Sequence, residues 1–375
     1  AQRKSEERSA TWWLKSFGIC ALVSGTVGGV YALVHAARLN PNVHVADLNY
    51  EYYIAVLMIG AMLAFVLYSK RPRPSPWTTG AASAAYPALL VLCLLFANKG
   101  NINIVRADAL YKQGLKFDQG EIWDGAIRYY RDAIDTAPKE DFYYLFYGRA
   151  LMEKGKLERD PSLRDNYFSR ALSALEEAKR LNPLNTDHTA NMGRLYRNWA
   201  EFDGDVAGRQ AKLQHALEAY AEAVKLSPHN AQLFNEWGLV YYISGDLDQA
   251  LAKYTKSLAL DQEFPQTYLL IGDVHLSRKQ WRDATQGYEQ ALALDDKIVQ
   301  GWSSVAYCYS QLGETDKAIT ANLKVLDLAP NDYVTLKNLF IVYHEAGRPA
   351  DALIYAKQAL AVAPEQDKGT REDFI

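Results

Sequence analysis

Hydrophobic residues follow two different patterns along this chain. In the first hundred residues they form unbroken runs: FGICALVSGTVGGVYALVHAA (17–37), YYIAVLMIGAMLAFVLY (52–68) and GAASAAYPALLVLCLLFA (80–97), none holding an Asp, Glu, Lys or Arg. Beyond residue 106 apolar positions are interleaved with charged ones at helical spacing. The runs predict membrane-spanning helices, since about 20 apolar residues cover the hydrocarbon core. A buried helix of a soluble protein is the alternative, and three such runs in succession argue against it. Trp12, Trp13, Tyr50, Tyr52, Tyr53, Tyr68 and Trp77 cluster at the run edges, where amphipathic rings sit at headgroup level. Pro87 is a kink that membrane helices tolerate. Ser24, Gly25, Gly28 and Gly29 give the first run a small face for close packing. A cleavable signal peptide would also carry a basic flank, but this core is too long and two more runs follow, so a retained anchor is expected.

Between the second and third runs stands SKRPRPSPW (69–77), a tight basic loop. Lys70, Arg71 and Arg73 join Arg3, Lys4, Arg8 and Lys15 of the N-terminal flank as seven cations on one side. Arg38, Lys99, Arg106 and Lys112 stand on the other. Cations close to membrane spans stay cytoplasmic. The count predicts a cytoplasmic N-terminus and an extracytoplasmic remainder, in a multi-pass protein of a bacterial cell membrane.

The amphipathic part keeps a ruler. Prolines fall at Pro138, Pro183, Pro228, Pro330 and Pro364, and the span from Pro228 to Pro330 is three times 34, with Gln262 and Asp296 at the intermediate marks. Twelve residues before each mark is an alanine: Ala126, Ala171, Ala216, Ala250, Ala284, Ala318 and Ala352. Gly114, Gly238 and Gly272 precede three of these by another twelve, followed three residues on by Phe117, Tyr241 and His275.

This pattern resembles the tetratricopeptide repeat, a helix–turn–helix unit of 34 residues. Small Gly and Ala let helices A and B approach closely, large residues at positions 4, 7 and 11 of helix A fill the space between repeats, and proline ends helix B. An all-α chain is predicted: a flank (1–16), a three-helix transmembrane anchor (17–97), a linker (98–106), an α-solenoid of about seven helix pairs (107–366) and a polar tail (367–375). The repeats are placed at 107–140, 141–185, 186–230, 231–264, 265–298, 299–332 and 333–366. Two of them are 11 residues longer, through KLERDPSLRDN (156–166) and EFDGDVAGRQA (201–211). These inserts are expected either to lengthen the turn or to extend the helices, as surface decoration.

Composition narrows the function. A net charge of −3 gives no basic signature for nucleic acid. Cys20, Cys93 and Cys308 form no CxxC, and the seven histidines form no HExxH or metal-spaced pair with cysteine. His275 reads as a packed core residue. No GxSxG, Walker loop or strand-linked GxGxxG occurs. The pairs Asp160/Asp165 and Asp203/Asp205 read as turn chemistry. Neither an active site nor a cofactor is expected.

The resemblance implies protein binding on the concave face, lined by positions 2, 5, 9 and 12 of each helix A. That face would carry Tyr111, Phe142, Arg149, Asp187, Arg194, Arg197, Asn235, Tyr242, Asp273, Tyr307 and Lys337. Arg149 and Arg194 hold the same position in adjacent repeats, with Arg197 one turn on. They suggest a grip for an anion or carboxylate, against the alternative of a solvated helix face. The family's Lys/Asn clamp for a C-terminal carboxylate does not map onto these positions. The tyrosines at 129, 130, 143, 144 and 147 read as packing between repeats.

ALYKQGLKFDQGEIWDGAIRYYRDAI (109–134), PKEDFYYLFYGRAL (138–151) and LNPLNTDHTANMGRLYRNWAEF (181–202) also resemble the repeat region of bacterial O-antigen ligase/polymerase-type membrane proteins. That resemblance implies a shortened relative, or the C-terminal part of one, with no glycan-transfer residue here. Three readings follow. The first is a non-catalytic, membrane-anchored scaffold binding a protein partner or a second copy in an envelope complex. The second is the accessory part of a glycan-transfer enzyme. The third, with the opposite topology, is an assembly factor of a respiratory or photosynthetic complex.

Overall fold

A computed structural model describes residues 103–364. The three apolar runs and the tail 367–375 lie outside the described residues. No helix among the described residues is long and apolar enough to cross a membrane.

The described chain is all-helical, with fourteen helices and no strand. They are α1 Asn103–Gln119, α2 Trp123–Thr136, α3 Asp141–Leu157, α4 Pro161–Leu181, α5 Thr186–Glu201, α6 Val206–Leu226, α7 Ala231–Ile243, α8 Leu247–Leu260, α9 Pro265–Ser277, α10 Trp281–Leu294, α11 Val299–Gln311, α12 Thr315–Leu328, α13 Tyr333–Glu345 and α14 Pro349–Val362. Residues 103–106, expected in a linker, form the first turn of α1. The apolar pattern Ile104, Ala107, Tyr111 continues the buried stripe of α1 through them.

The chain divides into two compact units, 1–154 and 155–375. In the first, Ala107, Tyr111, Ala126, Tyr130, Ala133 and Tyr143 form the core, with Phe117, Phe146 and Tyr147 packed on it. Tyr129 stacks on Phe117, and Tyr143 is buried with its hydroxyl on Asp108 Oδ1 at 2.7 Å. In the second unit α5 pairs with α6, α7 with α8, α9 with α10, α11 with α12 and α13 with α14. Each pair packs on the next, and the first helices of neighbouring pairs touch, α5 on α7 and α7 on α9.

One contact explains the glycine of the repeat. A β-carbon on Gly114 would stand 2.6 Å from Tyr130 Cε1, on Gly193 2.8 Å from Tyr220 Cε2, and on Gly272 2.6 Å from Tyr288 Cε1. Gly238 is equally closed by Tyr254. A buried tyrosine on helix B, at position 24 of the 34-residue repeats and at the matching place in the longer repeat of Tyr220, thus lies flat against helix A where glycine stands at position 8. In the last pair the sizes invert, with Phe340 at the glycine position and Ala356 at the tyrosine position.

Turn chemistry sets the ends. Asp160, Asn185, Asp205, Asn230, Asp246 and Asp332 accept backbone N–H bonds at helix N-termini, each stabilising by about 1 kcal/mol. Ala137, Asn182, Ser227 and Ala329, each preceding a proline, leave the helical region with ψ between 73° and 82°. The turn from A to B puts position 15 at positive φ: Gly245 at 86°, Gly313 at 72° and Gly347 at 68°, but also Glu121 at 55° and Lys279 at 58°.

The 11-residue inserts extend the helices. Helices α4 and α6 have 21 residues against 14 in α8, α10, α12 and α14, and α3 and α5 have 17 and 16 against 13 in α7, α9, α11 and α13. Seven added residues make about two turns, which preserves the facing of everything downstream. Asp160 and Asp205 cap the extended helices, Asp203 pairs with Lys212, and Asp165 accepts from Trp199 Nε1 at 2.8 Å. The expected turn chemistry is thus joined by ties between helices.

Candidate functional site

The candidate residues lie on the first helices of the pairs within each unit, and the structure sorts them into three kinds. Tyr111 and Asn235 are buried. Tyr111 lies among Tyr130, Phe142, Tyr143 and Phe146, and burial pushes its hydroxyl up to about 12. Asn235 Nδ2 donates to Thr267 Oγ1 at 2.7 Å, and Thr267 meets Ser257 Oγ at 3.2 Å. Ser257 in turn donates to the Ala231 carbonyl at 2.9 Å. That chain of donors fixes the amide and leaves Asn235 Oδ1 buried without a partner. Tyr111 and Asn235, both at position 5 of their helices, therefore point into the junction with the next pair, not onto an open face.

The second kind is committed within the protein. Arg149 Nη2 lies 2.6 Å from Asp118 Oδ1, and Tyr130 donates to Asp118 Oδ2 at 2.9 Å. Arg194 makes a two-pronged contact with Glu236, Nε to Oε2 at 2.8 Å and Nη2 to Oε1 at 2.7 Å, and its Nη1 donates to Asn191 Oδ1 at 3.2 Å. Tyr220 donates to the same Glu236 at 3.1 Å. Burial pulls the Arg194 pKa down, and the Glu236 bonds and charge more than reverse it. These two guanidiniums are neutralised, so the expected anion grip is not assembled from them. Arg197 differs: it donates to Asn198 Oδ1 at 3.3 Å and meets no carboxylate among the described residues.

The third kind is open. Phe142 is exposed and packs on Phe146. Tyr307, at position 9 of α11, is 49% exposed, with its edge on Trp281. Val334 and Ile341, at positions 2 and 9 of α13, are 62% and 44% exposed. Lys337 lies over the Tyr333 ring at 5.2 Å. Tyr242 on α7 bonds Ser277 on α9 at 2.8 Å. Asp273, at position 9 of α9, accepts from Tyr288 at 2.7 Å. Burial raises the Asp273 pKa, and the Tyr288 bond only partly offsets it.

His275, expected in the core, is half-buried, its Nδ1 2.9 Å from Gln280 Oε1 at the turn. Among the described residues the fully buried histidine is His188. Its place at position 3 of α5, amid His188-Thr189-Ala190, gave no periodic signal. Among the described residues no group of three His, Cys, Asp or Glu could hold a metal ion.

The repeat pattern has known counterparts. A TPR repeat model matches residues 238–277 and a tetratricopeptide repeat model matches 269–333, so the chain carries tetratricopeptide repeats. It is similar to the human protein O-mannosyl-transferase TMTC3, 24% identical over 185 residues, covering 48% of this chain and 20% of that protein. A TPR repeat-containing protein of Methanocaldococcus jannaschii is 27% identical over 160 residues, covering 40% and 28%. The Hsp70-Hsp90 organizing protein of Triticum aestivum is 21% identical over 178 residues, covering 45% and 31%. The chain thus spans less than a third of each of these relatives. Among solved structures it is similar to TTC0263, a thermophilic TPR protein of Thermus thermophilus, at 19% identity and TM-score 0.44, covering 54% of this chain and 98% of that one. The APC/C hetero-tetramer Cut9-Hcn1 gives 18% identity and TM-score 0.46, covering 77% and 52%.

Proposed function

We propose that this protein is a non-catalytic scaffold, anchored in a membrane by the runs at 17–37, 52–68 and 80–97, that binds a protein partner through the face formed by its first helices. The exposed apolar side chains of Tyr307, Val334 and Ile341, repeated on one face of α11 and α13, carry the reading. Large apolar groups recurring on one face are surface a partner covers. The charge distribution around SKRPRPSPW supports an extracytoplasmic repeat domain. A photo-crosslinking residue at Tyr307, with one at the exposed Lys256 of α8 as control, tests the face in cells. A discrete protein adduct from position 307 alone is expected, and equal yields from both positions would sink the reading. Protease treatment of sealed cells should remove the repeats and spare the three-run segment 1–97.

A second reading, the accessory part of a glycan-transfer enzyme, is supported by the partial match to a protein O-mannosyl-transferase. An intact native mass well above 42.1 kDa would favour it.

A further inference from the structure

The same three-part grouping recurs on first helices in both compact units: a carboxylate, a tyrosine hydroxyl from a second helix donating to it, and a guanidinium. One instance is Asp118 with Tyr130 and Arg149. Another is Glu236 with Tyr220 and Arg194. The third is Asp273 with Tyr288, and here no cation meets the carboxylate among the described residues. In the first two instances the arginine stands at position 9 of a first helix. On the helices flanking α9 that position holds Leu239 and Tyr307, so the fold supplies no arginine.

A second group is unmet at the same place. Tyr254 is fully buried between α7 and α9, flat against Gly238 and packed on Val274, and its hydroxyl has no partner. Tyr242 reaches Ser277, one turn beyond Asp273 on α9, and Tyr307 is half-exposed on α11. A half-buried carboxylate suits a guanidinium, which is planar and weakly hydrated, better than a strongly hydrated ammonium.

We infer that Asp273 receives an arginine side chain from a protein partner, completing in trans the unit that Arg149 and Arg194 complete in cis. This rests on the first-helix face being the binding face. Fluorescein-labelled hexapeptide pools, random except for one fixed Arg, Lys or citrulline, are titrated into the purified full chain and followed by anisotropy. Citrulline keeps the shape of arginine and removes its charge. The arginine pool should bind at least 10-fold more tightly than the citrulline pool, with the lysine pool between, and Asp273→Asn should close the gap. The side-chain carbonyl that this substitution introduces still offers an acceptor to Tyr288, so the fold should hold, as far-UV circular dichroism would show. A gap that survives Asp273→Asn overturns the inference. If all pools bind alike and Tyr307→Ala weakens them equally, the face stands and the arginine site falls. If binding is indifferent to both substitutions, or absent, both fall.

Discussion

Four fully buried tyrosines of the second helices provide a sharp test, because their rings do one job and their hydroxyls do different ones. Each ring closes the space against a glycine: Tyr130 on Gly114, Tyr220 on Gly193, Tyr254 on Gly238 and Tyr288 on Gly272. Tyr→Phe leaves that packing intact. In Tyr288→Phe the Asp273 carboxylate loses its 2.7 Å donor. Hydrogen bonds to charged groups contribute about 1.5–3 kcal/mol, so a loss of about 2 kcal/mol is expected. In Tyr254→Phe no bond is lost, since the hydroxyl is buried without a partner. Removing an unsatisfied buried hydroxyl relieves about 1–3 kcal/mol of desolvation. The two variants should therefore lie about 3–5 kcal/mol apart, on opposite sides of wild type. Repeat arrays unfold in segments, so a melting temperature, or a urea midpoint read by one global probe, does not assign either change to its helix. Amide hydrogen exchange by mass spectrometry, read at α8 for Tyr254→Phe and at α10 for Tyr288→Phe, does. Protection should rise in the first and fall in the second. Equal losses in both would mean the Tyr254 hydroxyl has a partner, and the second unmet group beside Asp273 would go with it.

Other consequences follow from the same geometry. Burial raises the Asp273 pKa above its unfolded value, so its ionised form costs stability once pH rises through the folded pKa. Asp273→Asn should then stabilise α9 at pH 7, with the advantage vanishing as pH falls to the unfolded value of about 4; a gain independent of pH would refute this. Lys279 holds the left-handed position that glycine holds in three other turns. Lys279→Gly should stabilise by about 1 kcal/mol and Gly313→Ala should destabilise by a similar amount, both measured by urea titration. Cys308 is fully buried, and burial pushes its thiol up to about 11. Peptide mapping after iodoacetamide at pH 8 should find it unlabelled in the native protein and labelled in urea; rapid native labelling would mean that α11 opens freely.

What the sequence decided, it decided through local free energies that repeat. The 34-residue period, the proline after several second helices and the capping Asp and Asn residues are each readable within the chain's own local pattern, and they produce the fourteen helices observed. The side chain that closes on Gly238 was harder to find, because Tyr254 comes from the partner helix and no local pattern joins them. The destination of the 11-residue inserts was open for a related reason. Two added helical turns and a longer turn fit the same residues until capping by Asp160 and Asp205 selects the helices. The candidate face was legible as positions, but its charges were not legible as free or paired. Arg149 meets Asp118 across 31 residues and Arg194 meets Glu236 across 42, so arginines that read as a free anion grip are spent inside the fold. Asp273 carries the same residue type as Asp118 but finds no cation among the described residues, because the neighbouring first helices place Leu239 and Tyr307 at the required position. Repeat period is a property of each segment alone. Whether a charge is satisfied depends on what the next helix brings within about 3 Å of it, and only the packed structure decides that.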